Sequence, residues 1–254
     1  MTQGTRRERL RAATELEIRE HARALLVARG RDAVTLRAIA RELGITAPAL
    51  YRYHDSREDL LRRLGDDICA DLAAELTGGL RHLDPADFRG KLFSVCRGFR
   101  TWALAHPEEF ALVFATRADE TAEPGGAAPD APDDRFAGVF IAVIGPLVIE
   151  AADLVRHDVS PPDPQSELSS NQQALARAFA DRGVDVPPEV LDADSVFVLL
   201  RWWVRLYGHV ALEVFGHFPF NLVSADRLYD SLLEELAAEL GVARGPGGRG
   251  PGES

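Results

Sequence analysis

The stretch TLRAIARELGITAPALYRYHDSREDLL, Thr35 to Leu61, constrains this chain more than any other part of it. Ile39 and Leu43 fall on one side of a short helix, and Ala40 is small enough for a second helix to cross closely. Gly44 follows where a left-handed backbone is needed to end that helix. Ile45 is then expected to plug the corner, Thr46 to cap the next helix, and Leu50 to point inward from it. Thr35 is the expected cap of the first helix, and Ser56 of a longer one with Asp59 three residues on. Two short helices about a glycine, the second presenting Ala47, Pro48, Tyr51 and Arg52 outward with Tyr53 at its end, form the pattern of a helix-turn-helix.

In that motif the second helix enters the major groove of DNA. Small residues at its leading end let the backbone approach base edges, and Pro48 sets the early turn. Arg52 suits bidentate contact with a guanine edge. Tyr51 and Tyr53 suit phosphate oxygens, as do Arg37, Arg57 and the capping Thr35, and the helix N-termini at Thr35 and Ser56 point partial positive charge the same way. The expected DNA-contacting set is therefore Thr35, Arg37, Thr46, Ala47, Pro48, Tyr51, Arg52, Tyr53 and Arg57. A helical corner packed inside a larger α-protein would carry the same spacing, with its arginines merely solvated.

Charge separates those two readings. The whole chain of 254 residues is acidic, with a net charge of −11. Residues 1–65 nonetheless carry 14 arginines against 9 acidic groups, a net of +5, and the remainder a net of −16. A basic first quarter on an acidic body points to a polyanionic partner at the N-terminal end. The start, TRRERLRAA, adds Arg6, Arg7, Arg9 and Arg11, either as an arm suited to the minor groove or as a frayed terminus giving only non-specific attraction.

The rest of the chain reads as helix, so the fold class is all-α. Helical spacing runs from Arg6 to Ala28, and from Ser56 to about Thr77, where Gly78-Gly79 is expected to close the helix. Proline at a first helical position with acidic neighbours predicts helices near 85–105 and 107–118. Further helices are expected near 134–157, 165–182, 187–216 and 224–240, with a flexible loop from Asp119 to Asp134 and a disordered tail over 242–254. Cys69 and Cys96 fit no metal or redox spacing and are expected to be buried thiols. No signal peptide is expected in the charged first twenty residues, and the apolar run from Phe136 is too short to span a bilayer. The chain reads as cytoplasmic.

A long first helix, the two short helices, and LYRYHDSREDLL opening a fourth closely resemble the TetR family of bacterial transcriptional repressors, over about residues 14–65. Family members usually read aromatic-His-Phe-Lys-Asn/Ser-Lys where this chain has Arg52, Tyr53, His54, Asp55, Ser56 and Arg57. Tyr53 can still contact phosphate, whereas Asp55 repels it. The resemblance implies an N-terminal three-helix helix-turn-helix domain over 1–65, with a connecting helix 56–78, and a C-terminal helical ligand-binding and dimerisation domain over 79–241.

In the C-terminal part, RWWVRLYGHVALEVFGHFPF from Arg201 weakly resembles the Trp-His-Gly subgroup, with Trp203 and then Tyr207-Gly208. Val196, Leu199, Leu200, Trp203, Tyr207, Val210 and Val214 make one apolar stripe, extended by Trp202, Leu206, Leu212 and Phe215, so this helix is expected to meet both its own core and a partner. The family's final two helices imply a homodimer, and a two-fold dimer implies a palindromic operator. Phe93, Phe99, Trp102, Phe110, Phe114, Phe140, Trp203 and Tyr207 are the candidate pocket lining, each equally a residue of ordinary core, and they favour a small hydrophobic or aromatic effector. His209, Glu213 and His217 recur every fourth residue, but their span is long for one ion; polar contacts at a dimer seam fit them better, and no metal or cofactor is expected. No nucleophile elbow, phosphate-binding glycine loop or paired-carboxylate motif is present, so no enzyme is expected. The expected function is a ligand-released homodimeric repressor. An activator or co-regulator acting through protein partners is the alternative, with a helical enzyme behind it.

Overall fold

The computed structural model describes residues 5–115, 193–219 and 225–239, with isolated positions between 143 and 186. Every described element is helical: α1 (Arg6–Arg29), a 3-10 turn (Arg31–Ala33), α2 (Leu36–Glu42), α3 (Ala47–Leu50), α4 (Arg57–Leu80), α5 (Phe88–Ala105), α6 (Pro107–Phe114), and then Ala193–Val214 and Ala225–Glu239, designated α7 and α8. The helices expected near 134–157 and 165–182, the loop after Asp119 and the C-terminal tail lie outside the described residues.

The chain folds into two compact units. The first takes in the described residues up to Asp71 together with 105–115, and the second 72–104 together with α7 and α8. α6 thus groups with the N-terminal unit.

In the first unit α1 is helical from Arg6 because Thr5 and Glu8 close a reciprocal capping box: the Glu8 N–H donates to Thr5 Oγ1 at 3.3 Å and the Thr5 N–H to Glu8 Oε2 at 2.6 Å. The basic start is therefore ordered helix from Arg6 onward, not a frayed end. Ile18, Leu26, Ile39, Leu50, Leu60, Leu64 and Phe110 are all fully buried here. Arg23 ties three helices, bonding Asp71 of α4 and Glu109 of α6, each at 2.5 Å. Glu109 is itself buried, so removing Arg23 would leave a buried carboxylate without that bond.

α2 ends in a Schellman motif. Gly44 adopts φ +66°, its N–H donating to Arg41 O at 3.4 Å, while the Ile45 N–H reaches Ala40 O at 3.0 Å. The Ile45 side chain does not plug the corner as expected; it is exposed, because its place in the motif is fixed through the backbone. α3 is also shorter than the expected Ala47–Tyr53: regular helix stops at Leu50, and residues 51–53 continue as turns. Thr46 holds the N-cap position without a side-chain bond, and its carbonyl accepts from Ala49 N at 2.9 Å.

The second unit joins α5, the end of α4, α7 and α8. A Cβ on Gly98 would lie 2.8 Å from Leu76 Cδ2, so α5 and α4 approach where glycine leaves space. Gly78-Gly79 does not close α4. Both glycines are helical and the helix runs on to Leu80. The buried face of α7 is Val198, Trp202, Leu206 and Val210; Val210 lies inside as expected, but Trp202 and Leu206 face in where Trp203 and Tyr207 are expected, and those two rings are half-buried. The Trp202 indole decides this rotation, because its N–H donates to Leu236 O of α8 at 3.1 Å. Tyr229 donates to Cys96 O at 2.6 Å, and burial raises its hydroxyl above the ordinary range. Burial likewise pushes the Cys96 thiol up to about 12, which leaves it unreactive.

Gly44→Ala is expected to destabilise the first unit by about 1–2 kcal/mol, because alanine resists the left-handed backbone. Gly78→Ala, at a helical position with nothing within 4 Å of the added Cβ, is expected to stabilise by up to about 1 kcal/mol. Denaturant unfolding of the two variants should give shifts of opposite sign.

Candidate nucleic-acid interface

The recognition segment projects from buried anchors. Ile39 and Ala40 of α2 and Leu50 of α3 lie inside, while Arg37, Thr46, Pro48, Tyr51 and Arg52 are exposed, Tyr51 to 57%. Thr35 caps α2 as expected, its hydroxyl accepting from the Ala38 N–H at 3.1 Å. Ala47 and Tyr53 are half-buried at the two ends of the segment. Beyond Leu50 the chain is held by N–H bonds from Arg52 to Ala49 O (3.3 Å) and from Tyr53 and His54 to Leu50 O (2.9 and 3.1 Å).

Arg57, an expected phosphate contact, is engaged within the chain. Its Nε donates to Val34 O and one Nη to Arg31 O, both at 2.7 Å, with Asp32 and Glu58 3.9 Å away. The first residue of α4 therefore clamps the turn that leads into α2. Ser56 caps α4 as expected, accepting from the Asp59 N–H at 3.0 Å. The Asp59 side chain does not complete a capping box; it turns to His54 at 3.1 Å, Arg62 at 2.5 Å and Arg63 at 3.3 Å.

His54 was not among the expected site residues. It is fully buried at the base of the recognition segment, with its Nδ1 facing Asp59 and no hydrogen-bond partner for Nε2 among the described residues. Desolvation lowers its pKa, outweighing the bond to Asp59, so the ring is neutral and Nδ1–H donates to the carboxylate. Burial alone would raise Asp59, but the bonds from His54 and Arg63 hold it below the usual carboxylate range. The signal in the sequence is a histidine where the TetR pattern has phenylalanine.

The candidate ligand-pocket residues divide between the units. Phe110 and Phe114 belong to the first, with ring centroids 5.0 Å apart; Phe93, Phe99, Trp102, Trp203 and Tyr207 belong to the second; Phe140 lies outside the described residues. Phe93, Phe99 and Trp102 are buried, Phe93 lying beneath the guanidinium groups of Arg89 (4.5 Å) and Arg97 (5.3 Å). Trp203 and Tyr207 stack at 5.6 Å with an interplanar angle of 6°.

His209 and Glu213 share a face, 3.8 Å apart, but His217 does not join them in a three-residue group. Glu213 is taken by a bidentate bond from Arg100, both contacts at 2.6 Å, and Gly216 at φ +65° ends α7 before His217 can extend the register. Among the described residues no group of three His, Cys, Asp or Glu is placed to hold a metal ion, and no helix is long and apolar enough to cross a membrane.

Residues 18–64 match the family described as bacterial regulatory proteins, tetR family, and residues 92–236 match the tetracyclin repressor-like C-terminal domain. The HTH-type transcriptional regulators Mb1846 of Mycobacterium bovis and Rv1816 of Mycobacterium tuberculosis are each 30% identical over 228 residues, covering 87% of this chain and 88% of the relative. Among solved structures, the regulatory protein SCO4313 is similar with a TM-score of 0.62 and 28% identity over 92% of this chain and all of that one. A protein of unknown function from Rhodococcus sp. RHA1 shares the fold with a TM-score of 0.53 at 18% identity, over 89% of this chain and 95% of that one.

The buried histidine makes stability depend on pH. In the unfolded chain His54 takes up a proton as pH falls through its ordinary value of 6.5, whereas the folded chain resists it to lower pH. Stability is therefore full above about pH 7 and declines below 6.5. His209, also depressed by burial, adds a slope of the same sign. The difference between wild type and His54→Phe isolates the first effect: the variant should lose less stability than wild type between about pH 7 and 5 in urea unfolding. Parallel curves would show that His54 is not the group responsible.

Proposed function

The chain belongs to the TetR family of helix-turn-helix DNA-binding transcriptional regulators, and on that premise we propose that it is a homodimeric repressor released from its operator by a small hydrophobic or aromatic effector. The observation that carries the reading is the exposed edge of α3, with Pro48 and Tyr51 outward, rising from the buried Leu50. Ala47 and Pro48 face base edges, while Thr35, Arg37, Thr46, Tyr51 and Tyr53 contact the backbone on either side. Arg57 acts through the turn it clamps rather than by touching DNA.

The homodimer reading is supported by the apolar surface left on α7 and α8. Val204 is 64% exposed, and Leu200, Leu212, Phe215 and Leu228 are exposed in the same unit. Such a surface calls for a partner, and a second copy brings two recognition segments to a palindrome. The half-exposed Trp203–Tyr207 stack favours an aromatic effector. Release requires the effector to prefer the conformation that does not fit DNA; equal affinity for both states shifts nothing.

Selection of random and genomic duplexes by the purified protein near physiological salt should enrich one palindrome. Affinity for it should fall by at least about 100-fold between roughly 50 and 200 mM salt, as four or more phosphate contacts release counterions. No enriched sequence, or affinity that barely changes with salt, would overturn the proposal.

A further inference from the structure

The first turns of α1 and the end of the recognition turn line a cleft of about 570 Å³. Arg6, Arg7, Arg11, Arg52, Thr14 and Tyr53 form its polar wall, and no carboxylate lines it. Within the first unit Arg19 pairs with Asp67, Arg23 with Asp71 and Glu109, and Arg63 with Asp59, while Arg37 and Arg41 stand apart on α2 without converging on a common space. Arg6, Arg7 and Arg52 have no such partner among the described residues. Arg11 is held in place, its Nε bonded to Glu15 at 3.0 Å, one Nη 3.4 Å from Arg52 O, and its guanidinium 5.9 Å from the Tyr53 ring centre. Four guanidinium groups from two segments about forty residues apart converge on one space, an arrangement whose mutual repulsion an anion relieves.

Arg52 and Tyr53 belong both to this cleft and to the end of the recognition turn, so a duplex resting on Pro48 and Tyr51 brings one strand of its backbone past the opening. We infer that the cleft grips a phosphodiester of the operator backbone at the end of α3, through Arg6, Arg7 and Arg11 of α1 acting with Arg52; this rests on the DNA-binding reading above. The contact is blind to sequence. It moves Arg52 from a guanine edge to the backbone and makes the first turns of α1 part of the footprint. Guanidinium forks match phosphate oxygens in geometry as well as charge, and the Tyr53 and Thr14 hydroxyls supply neutral donors.

The test uses the full chain, the selected palindrome, and a scrambled duplex of equal length. Arg7→Ala/Arg11→Ala should weaken both duplexes by a similar factor, about tenfold or more, and lower the salt slope by about 1 for each subunit bound. Its melting temperature should stay near that of wild type, because both side chains are exposed. Arg52→Ala should likewise weaken both duplexes together. Wild-type affinity in the double variant, or an Arg52→Ala effect confined to one base pair of the palindrome, would overturn the inference while leaving a sequence-specific regulator intact. Should wild type show no preference for any palindrome, the regulator reading fails, and the cleft is judged on the scrambled duplex alone. Calorimetric titration with inorganic phosphate covers the other source of the same chemistry. Millimolar or tighter phosphate binding that is lost in the double variant while both duplexes are still bound as by wild type would assign the cleft to a free anion and overturn its assignment to the duplex.

Discussion

A helix of four residues has no stability of its own, because nucleating a turn fixes more dihedral angles than its few hydrogen bonds repay. The recognition segment therefore exists only through what holds it from beneath. Leu50 and Ile39 are fully buried, each contributing roughly 2 kcal/mol by leaving water. Arg57 draws in the turn before α2 through the carbonyls of Arg31 and Val34. His54 and Asp59 lock the chain where it leaves the segment for α4. All three anchors lie beneath or beside the exposed edge of the segment, so that edge can be polar and open without losing its shape.

Burying polar groups in such a support carries a risk, and the first unit accepts it at two places. His54 leaves Nε2 without a hydrogen bond among the described residues, and Glu109 leaves one carboxylate oxygen unbonded, with only His106 4.0 Å away. A phenylalanine at the first position would pack without that penalty. The histidine instead gives Asp59 a partner, and Asp59 in turn orders Arg62 and Arg63 along the first turns of α4. Arg23 does the corresponding work for Glu109, joining α1 to α6 and to α4.

The second unit uses polar bonds to choose among helix rotations that hydrophobicity alone leaves open. α7 is apolar on most sides, so several faces could turn inward. The Trp202 indole bonded to Leu236 O selects one, Arg100 on Glu213 holds the same face nearer the end of α7, and Arg205 reaches Glu235 and Glu239 of α8. What this rotation leaves outside, including Val204 and Leu212, is a surface too apolar for a lone helix pair in water.

Sequence by itself determined the helical class, the boundaries of α1, α2 and α6 at their starts, and the glycine turn at Gly44. These features are local: caps, proline positions and left-handed glycines act within a few residues of where they stand. It also determined that the first quarter is basic, since charge needs no fold to be counted. Only the tertiary structure decided that Arg57 clamps backbone carbonyls, that Ile45 faces out, that Trp202 rather than Trp203 faces in, and that Arg52 meets arginines from α1. Each of these turns on what lies across a gap of twenty or more residues, or on which of two neighbouring side chains finds a buried acceptor. Spacing along the chain carries no information about either, because a helical period names the faces of a helix without saying which one the neighbouring helices will cover.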